Sequence, residues 1–258
     1  MPEHLGLRVG ILSSLAALTL LACGEEKPKP SQVSPAEQVA FVSSDSVHLA
    51  GTWQYVQNSR AVVICIPTVG FTRSSWSNTM RLLANAGWSA LSFDLRGQGD
   101  SRLPVGSTWK WSPRDSAGAI EHYVRDIRAA VRYVRAATNG NVRIILLGAD
   151  ISGVAALYAA TAEPQLVAGV ALVTPPGGLD KLIAARLVDR YGDRPLMIMT
   201  EQPISGTAGT PRTLDSWLEG GRGSAITLRL TAPQETTALE NRQAALNKLM
   251  RWIDSATL

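Results

Sequence analysis

The order of apolar and polar positions predicts strands that alternate with helices over most of the chain. The run 61-AVVICIP-67 is apolar throughout, which is typical of a strand buried on both faces of a parallel sheet. Residues 115–138 repeat apolar side chains at three- and four-residue spacing, which predicts a long amphipathic helix. Residues 39–57 predict two antiparallel strands that turn near Ala50-Gly51. Further strands are predicted at 88–95, 142–149, 166–174, 195–200 and 225–231, and further helices at 76–86, 151–163, 179–190, 211–220 and 236–255.

This alternation favours the α/β class. We expect a three-layer α/β/α sandwich around a mostly parallel, eight-stranded sheet, with helices on both faces. No long insertion interrupts the pattern, so no large cap domain is predicted over residues 39–258.

The N-terminal segment has a different pattern. Residues 9–22 form an apolar run that is too short to span a bilayer comfortably and is typical of the core of a signal peptide. The run ends in 20-LLACG-24, which resembles the lipobox of bacterial lipoproteins. That resemblance implies a signal peptide over 1–22, a lipidated Cys23, and a polar, Pro-containing tether over 23–38. The alternative is a cleaved secretory signal followed by an incidental cysteine.

If Cys23 carries lipid, the membrane is one partner of the protein. Gly24 follows Cys23 where inner-membrane lipoproteins carry Asp, so the resemblance favours the periplasmic face of the outer membrane. Cys65 is then the only other cysteine, which excludes an internal disulfide and a cysteine-ligated zinc site in the mature protein.

Composition narrows the function classes further. Apolar residues make up 45% of the chain and charged residues 18%, which is typical of a globular protein. The net charge of +4 is small and its basic residues form no run, so nucleic acid is not an expected partner. No metal or cofactor is expected.

Four segments together resemble the α/β-hydrolase superfamily, with the compact layout of dienelactone hydrolases and small esterases. Residues 65–88 are similar to the oxyanion loop and the helix that follows it. The segment 91-LSFDLRGQGDSR-102 is similar to the Asp-x-Arg-Gly-x-Gly-x-Ser signature after the fourth strand. Residues 148-GADISG-153 resemble a nucleophile elbow. The strand–helix units from 166 to 256 supply the remaining strands of the fold in the order that the family has.

The resemblance implies that Asp150 occupies the nucleophile position. Most family members carry Ser there, whereas haloalkane dehalogenases and epoxide hydrolases carry Asp. The backbone N–H groups of Phe71 and Ile151 would then form the oxyanion pocket. If Asp150 accepts these N–H groups itself, its pKa should be depressed, because such bonds favour the charged form.

At the other catalytic positions that the resemblance implies, the residues that the family uses are absent. Chain order places Gln234 and Glu235 about where the catalytic His would fall, and no His follows His122. Glu201 lies near the acid position, and Val69 replaces the His of the oxyanion-loop His-Gly pair. The sequence therefore predicts a degenerate triad.

Other residues are candidates of lower weight. His48 is predicted to lie away from the site and His122 on a helix flank, and Ser152 is expected to serve packing rather than nucleophilic attack. Asp94 and Arg96 are expected to fix loop structure. Trp109 and Trp111 either border the pocket, where they would stack on a ligand, a partner or lipid, or cover the core.

Two functions remain open. The first is an envelope lipoprotein that binds a small apolar ligand or an envelope protein, in the crevice between Gly70-Phe71, Asp150-Ile151 and the 103–114 loop. The alternative is an active hydrolase of small esters, epoxides or haloalkanes. It would use Asp150 as nucleophile or base, with Glu201 or Glu235 in place of the His-Asp pair.

Overall fold

The structure is a computed structural model. It describes residues 32–109, 116–140, 142–175, 181–201, 225–230 and 243–258. The predictions for the signal peptide, Cys23, Trp111, the 211–220 helix and Glu235 fall outside these residues.

Eight strands and five helices follow one another along the described chain. The strands are β1 Glu37–Val42, β2 His48–Gln54, β3 Ala61–Ile66, β4 Ser89–Phe93, β5 Arg143–Ala149, β6 Val167–Val173, β7 Leu196–Glu201 and β8 Ala225–Leu230. The helices are α1 Ser77–Asn85, α2 Ser116–Ala137, α3 Asp150–Ala162, α4 Lys181–Tyr191 and α5 Gln243–Ala256, and a 3-10 turn at Arg73–Trp76 precedes α1.

The strands form one sheet in the order β1-β2-β4-β3-β5-β6-β7-β8. β2 runs antiparallel to both its neighbours, and every other pair is parallel. The predicted eight-stranded, mostly parallel sheet is confirmed.

The two faces of β3 explain its uniformly apolar sequence. Val62, Ile64 and Ile66 pack into the core beneath α2, α3 and α4. Ala61, Val63 and Cys65 pack into a second core beneath α1 and α5. Because both faces are covered, every side chain of β3 is buried, and the predicted three-layer sandwich is confirmed.

The first hairpin turns at a different place from the one predicted. Ala50 and Gly51 lie inside β2, and the chain reverses over Ser43–Val47. The Ser43 hydroxyl accepts the Val47 N–H at 3.0 Å, and Ser46 adopts a left-handed φ of 63°. Gly51 serves close packing instead, since a Cβ there would lie 3.1 Å from Val39 Cγ2.

Ordered contacts also begin before the predicted domain boundary at residue 39. The Gln57 N–H donates to the Gln32 carbonyl and the Ser34 N–H to the Tyr55 carbonyl, each at 3.0 Å. Residues 32–34 of the predicted tether therefore pair with residues 55–57, just after β2, and belong to the folded domain.

Because β3, β4 and β5 are adjacent and parallel, their carboxyl ends meet at one edge of the sheet. The loops after these three strands carry the candidate chemistry. Within the part of the chain that the structure describes, no helix is both long and apolar enough to cross a membrane.

Candidate active site

The turn between β5 and α3 has the geometry of an elbow. A Cβ on Gly148 would lie 2.6 Å from Gly153 Cα, and a Cβ on Gly153 would lie 2.8 Å from the Gly148 carbonyl oxygen. Neither contact is tolerable, so only glycine at both positions lets the helix start directly above the strand. Asp150 stands between them as the first residue of α3.

Asp150 is held in an unfavourable backbone conformation. Its φ is +52°, in the left-handed region that few non-glycine residues adopt, although Asp and Asn tolerate it best. A strained residue of this kind persists only where the surrounding structure imposes it, and such residues concentrate at functional sites.

The pKa of Asp150 moves in the opposite direction from the prediction. Burial raises it, and the hydrogen bond from the Ile151 N–H lowers it by less. The prediction of a depressed pKa was wrong because desolvation of the carboxylate outweighs one backbone hydrogen bond.

Ser152 is placed for packing. Its side chain is fully buried, and its hydroxyl donates to the Ala149 carbonyl at 2.5 Å. A hydroxyl tied to the preceding turn caps the strand-to-helix junction and is not directed at the sheet edge.

The loop after β3 uses its own N–H groups internally. The Phe71 N–H donates to the Thr68 carbonyl at 3.0 Å, which closes a tight turn. The Gly70 N–H donates to Gln98 Oε1 at 2.7 Å. Phe71 is therefore not a free oxyanion donor in this structure, contrary to the prediction, because the turn already takes its N–H.

The signature segment after β4 fixes loop structure, as its sequence predicts. The Asp94 carboxylate is fully buried and accepts the N–H of Arg73 at 2.7 Å and of Asp100 at 2.9 Å, as well as the Arg73 guanidinium. A Cβ on Gly99 would lie 2.2 Å from Asp94 Oδ2, so this position requires glycine. Asp94 thereby ties the loops after β3 and β4 together.

Arg96 anchors a second buried network. Its guanidinium donates to Asp126 at 2.7 Å, to Asp45 at 2.7 and 2.9 Å, and to His122 Nδ1 at 3.1 Å. Burial alone would lower the pKa of Arg96, but the two carboxylates raise it above its usual value. This network joins the first hairpin, the loop after β4, and α2.

His122 acts within that network. An arginine N–H always donates, so His122 Nδ1 must be the unprotonated nitrogen of the ring. Burial and the neighbouring Arg96 and Arg125 charges lower the pKa of His122. The imidazole is thus held neutral on the flank of α2, with Trp109 against it at 5.4 Å between ring centroids.

His48 lies closer to the catalytic edge than predicted. Because β2 is antiparallel, the pairing of Gly51 with Phe93 carries His48 past the end of β4, where it bridges Arg102. Three strand spacings still separate β2 from β5, roughly 14 Å. The exposed His48 side chain is therefore out of direct reach of Asp150.

A cavity of about 290 Å³ lies among the loops after β3 and β4. Its lining comprises Val69, Gly70, Arg96, Gly97, Gln98, Leu103 and Trp109. The predicted pocket residues Gly70 and Trp109 line it, whereas Phe71, Asp150 and Ile151 do not.

Trp109 serves both of the roles that the sequence left open. It lines the cavity, and its half-buried ring also packs edge-on against the buried Tyr123 at 6.2 Å. Gln98 was missed from the sequence. The signal was an amide in the variable position of Arg-Gly-x-Gly, between two glycines that leave its side chain accessible to the neighbouring loop.

Glu201 and Glu235 are the acidic candidates for replacing a His-Asp pair, and of the two the structure describes Glu201. Glu201 is the last residue of β7, two strands from β5 at the same edge of the sheet.

Comparisons with known proteins agree with this architecture. The family model described as "Serine aminopeptidase, S33" matches residues 57–200. No curated protein matches the chain.

Many solved structures share the fold. An esterase of Pyrococcus furiosus superposes with a TM-score of 0.67 at 16% identity, covering 85% of this chain and 92% of that one. An α/β hydrolase of Novosphingobium aromaticivorans has a TM-score of 0.60 at 16% identity, covering 85% and 98%. A bacterial membrane phospholipase A has a TM-score of 0.64 at 11% identity, covering 86% of each.

Proposed function

The chain belongs to the serine aminopeptidase family, S33, of α/β hydrolases, and from that premise we propose that it is an envelope lipoprotein whose hydrolase fold binds a ligand or a protein partner without turning it over. The observation that carries the loss of turnover is the internal use of the oxyanion donors.

Two backbone N–H groups of the loop after β3 are already bonded within the protein. That of Gly70 donates to Gln98 and that of Phe71, one of the two predicted oxyanion donors, to Thr68. Oxyanion stabilisation requires donors that are preorganised and unsatisfied before the reaction, and losing a single one lowers kcat about 10²–10³-fold. Acyl transfer at this site would first have to break these internal bonds.

Proton transfer is the second missing component. A Ser or Asp nucleophile in this fold needs a base to activate it or the water that releases the intermediate. The sequence contains no His after His122, and Arg96 already holds the Nδ1 of His122. This supports a binding role for the inherited crevice.

The envelope part of the proposal rests on the sequence. The apolar run at 9–22 and the lipobox-like 20-LLACG-24 support export and lipidation at Cys23, with the outer membrane favoured by Gly24. The protein would then bind its envelope partner, or a small apolar ligand in the cavity, on the periplasmic side of the membrane.

One observation favours the alternative, an active hydrolase that uses Asp150. The residue is strained, with φ +52°, and burial raises its pKa, which is the direction that a carboxylate base requires. Small esters lead the candidate substrates, because an esterase is among the proteins of similar fold. Epoxides and haloalkanes are the substrates on which family members with Asp at the elbow act.

A turnover panel separates the two functions. The full chain is assayed with p-nitrophenyl acetate, styrene oxide and 1-chlorobutane, beside Asp150→Ala and the exposed control Asp189→Ala. The proposal expects all three proteins to give the same background rate. Turnover by wild type and Asp189→Ala that is lost in Asp150→Ala would show an enzyme and end the binding proposal.

A further inference from the structure

A second groove lies at the edge of the sheet opposite the elbow, where β5, β6 and β7 begin. Its volume is about 440 Å³, and three arginines from separate parts of the chain line it. Arg135 comes from the last turn of α2, Arg143 from the first position of β5, and Arg194 from the loop before β7. We call it the amino-edge groove. Among the described residues that line it, none is Asp or Glu.

Arg194 is held in position before any ligand binds. Its Nε donates to the Tyr191 carbonyl and its Nη1 to the Ala160 carbonyl, each at 3.0 Å. The guanidinium also lies over the Tyr191 ring, 4.0 Å from the ring centroid. Because the side chain is already ordered, little conformational entropy is lost when an anion binds to it.

Arg135 and Arg143 differ from the arginines of the loops near the elbow. Arg73 and Arg96 each pair with two carboxylates. Arg135 forms no ion pair within the described residues, and the Arg143 guanidinium makes one long hydrogen bond there, 3.4 Å from Nη2 to an oxygen of Leu258. Guanidinium groups that share one groove repel each other, and an anion between them removes that repulsion.

The acidic side chains closest in sequence to the lining do not belong to it. Glu163 pairs with Arg128 at 2.7 Å, and Asp254 pairs with Arg60 at 2.8 Å. Asp193 is exposed and is not among the lining residues. The amino-edge groove therefore favours a ligand that carries negative charge.

The surface around the arginines is largely apolar. Val142, Leu166 and Pro195 line the groove and are partly buried there. Such a lining favours an anion that has an apolar body over a bare inorganic ion, because the body removes apolar surface from water.

The N-terminal segment joins the domain at this same edge. The Gln57 N–H donates to the Gln32 carbonyl just after β2, and because β2 is antiparallel to β4, that end of β2 lies beside the start of β4. Nine positions separate Gln32 from Cys23, and an extended chain of that length spans at most about 32 Å. A lipid on Cys23 would therefore keep this edge within reach of the membrane surface.

We infer that the amino-edge groove binds the phosphate of an anionic phospholipid headgroup. Arg135, Arg143 and Arg194 donate to the phosphate oxygens, for which the planar guanidinium is well suited. Val142 and Leu166 contact the glycerol and the first acyl carbons. Binding orients the domain with this edge toward the membrane, so the loops after β3, β4 and β5 face away from it. The inference rests on the proposed envelope location and names the membrane component that the domain contacts.

The probe is dihexanoyl phosphatidylglycerol, a short-chain anionic lipid, titrated as a monomer into the full chain by isothermal calorimetry. Saturable binding is expected. Dihexanoyl phosphatidylcholine has the same phosphate beside a positive charge, and inorganic phosphate lacks the apolar body, so each should bind at least fivefold more weakly. Equal or tighter binding of either compound would overturn the assignment to an anionic lipid, as would the absence of saturable binding.

The main variant is Arg135→Gln/Arg143→Gln, which removes two of the three guanidinium groups. Its Kd for dihexanoyl phosphatidylglycerol should rise tenfold or more, because charge-assisted hydrogen bonds to the phosphate are lost. The matched control is Arg81→Gln/Arg102→Gln, which removes two exposed arginines outside the groove and lowers the net charge equally. The control should bind like wild type. Equal weakening in both double variants would show a general effect of charge and overturn the inference.

Arg143→Gln alone changes a single exposed position and should weaken binding at least threefold. It keeps the inference testable if the double variant unfolds, and an unchanged affinity in a folded Arg143→Gln would overturn it. Neither ester turnover nor acylation at Cys23 enters these titrations, so their outcome is separate from the tests of the proposed function.

Discussion

Gln98 Oε1 accepts the Gly70 N–H at 2.7 Å, so a side chain of the loop after β4 occupies a backbone donor of the loop after β3. Both loops are also tied through Asp94 and Arg73. Contacts within the protein thus hold the two loops together. The backbone donor of Gly70 is satisfied internally, which is consistent with a binding role rather than a catalytic one.

Replacing Asp150 by Asn should stabilise the protein at neutral pH. The folded-state pKa of Asp150 is raised above its ordinary 3.8, so the unfolded chain loses the proton first as pH rises, and folding is penalised above about pH 4. Asn carries no charge, tolerates φ +52°, and keeps an oxygen for the Ile151 N–H. We expect a gain of about 1 kcal/mol in the free energy of unfolding at pH 7, measured by urea denaturation.

The gain should shrink as the pH falls toward 4, where wild-type Asp150 becomes protonated as well. Asp189→Asn is the control at an exposed position and should change stability little at either pH. A loss of stability in Asp150→Asn at pH 7 would show that the carboxylate is held by favourable charge interactions.

Two ion pairs of similar length offer a direct comparison of burial. Arg96 and Asp126 lie 2.7 Å apart and are buried, whereas Arg60 and Asp254 lie 2.8 Å apart with more than half of each side chain exposed. Burial raises the pKa of Asp126 to about 6, so its carboxylate is ionised at pH 8. At that pH Asp126→Asn should destabilise the protein by about 3 kcal/mol, because Arg96 loses a buried counter-charge that accepts its hydrogen bonds. Asp254→Asn should cost about 0.5 kcal/mol or less. Equal effects of the two substitutions in chemical denaturation would contradict the role given to the Arg96 network.

His122 should make the protein less stable in mild acid. Its folded-state pKa is lowered below 6.5, so below that pH the unfolded chain takes up a proton that the folded chain does not. The free energy of unfolding should therefore fall as pH drops below 6.5. His122→Gln keeps an acceptor for Arg96 but cannot titrate, so its stability should fall less between pH 7.5 and 5.5. Parallel pH profiles for the two proteins would disprove the assignment.

Cys23 should anchor the protein to the membrane. When the full chain is expressed in a Gram-negative host, we expect wild type in the membrane fraction with a mass increase from acyl chains, and Cys23→Ala in the soluble fraction. The chain's other cysteine gives the control, since Cys65→Ala should stay with the membrane. Wild-type protein without added mass and free of the membrane would refute lipidation.

Much of the fold follows from local sequence patterns. The uniformly apolar 61–66 segment predicts a central strand because both its faces are covered, and Gly148 with Gly153 predicts the elbow because only glycine fits the close approach. These features depend on neighbours in the sequence or on a repeated pattern. The turn of the first hairpin was predicted at Gly51 because glycine is a strong turn signal. In the structure Gly51 lies inside β2, where a side chain would crowd Val39 on the neighbouring strand.

The site was less predictable because its properties depend on residues far apart in the chain. The raised pKa of Asp150 reflects how deeply the elbow is buried, which periodicity does not reveal. The bond between Gln98 and Gly70 joins positions 28 residues apart, and Arg96 meets Asp45 across 51. Missing residue types, such as the absent His after His122, were visible in the sequence, but the internal use of the oxyanion donors was not.

We propose that Asp150 performs no chemistry, and mass spectrometry of the peptides that contain it tests this most directly. An Asp nucleophile that attacks without a base to release the product would accumulate as a covalent ester, so even a single turnover is detectable. The full chain is incubated with styrene oxide and 1-chlorobutane, each of which leaves an alkyl ester when a carboxylate attacks its carbon, and peptides covering Asp150 are then analysed. We expect an unchanged mass at Asp150 with both compounds. An adduct on Asp150, absent from Asp150→Asn, would contradict it.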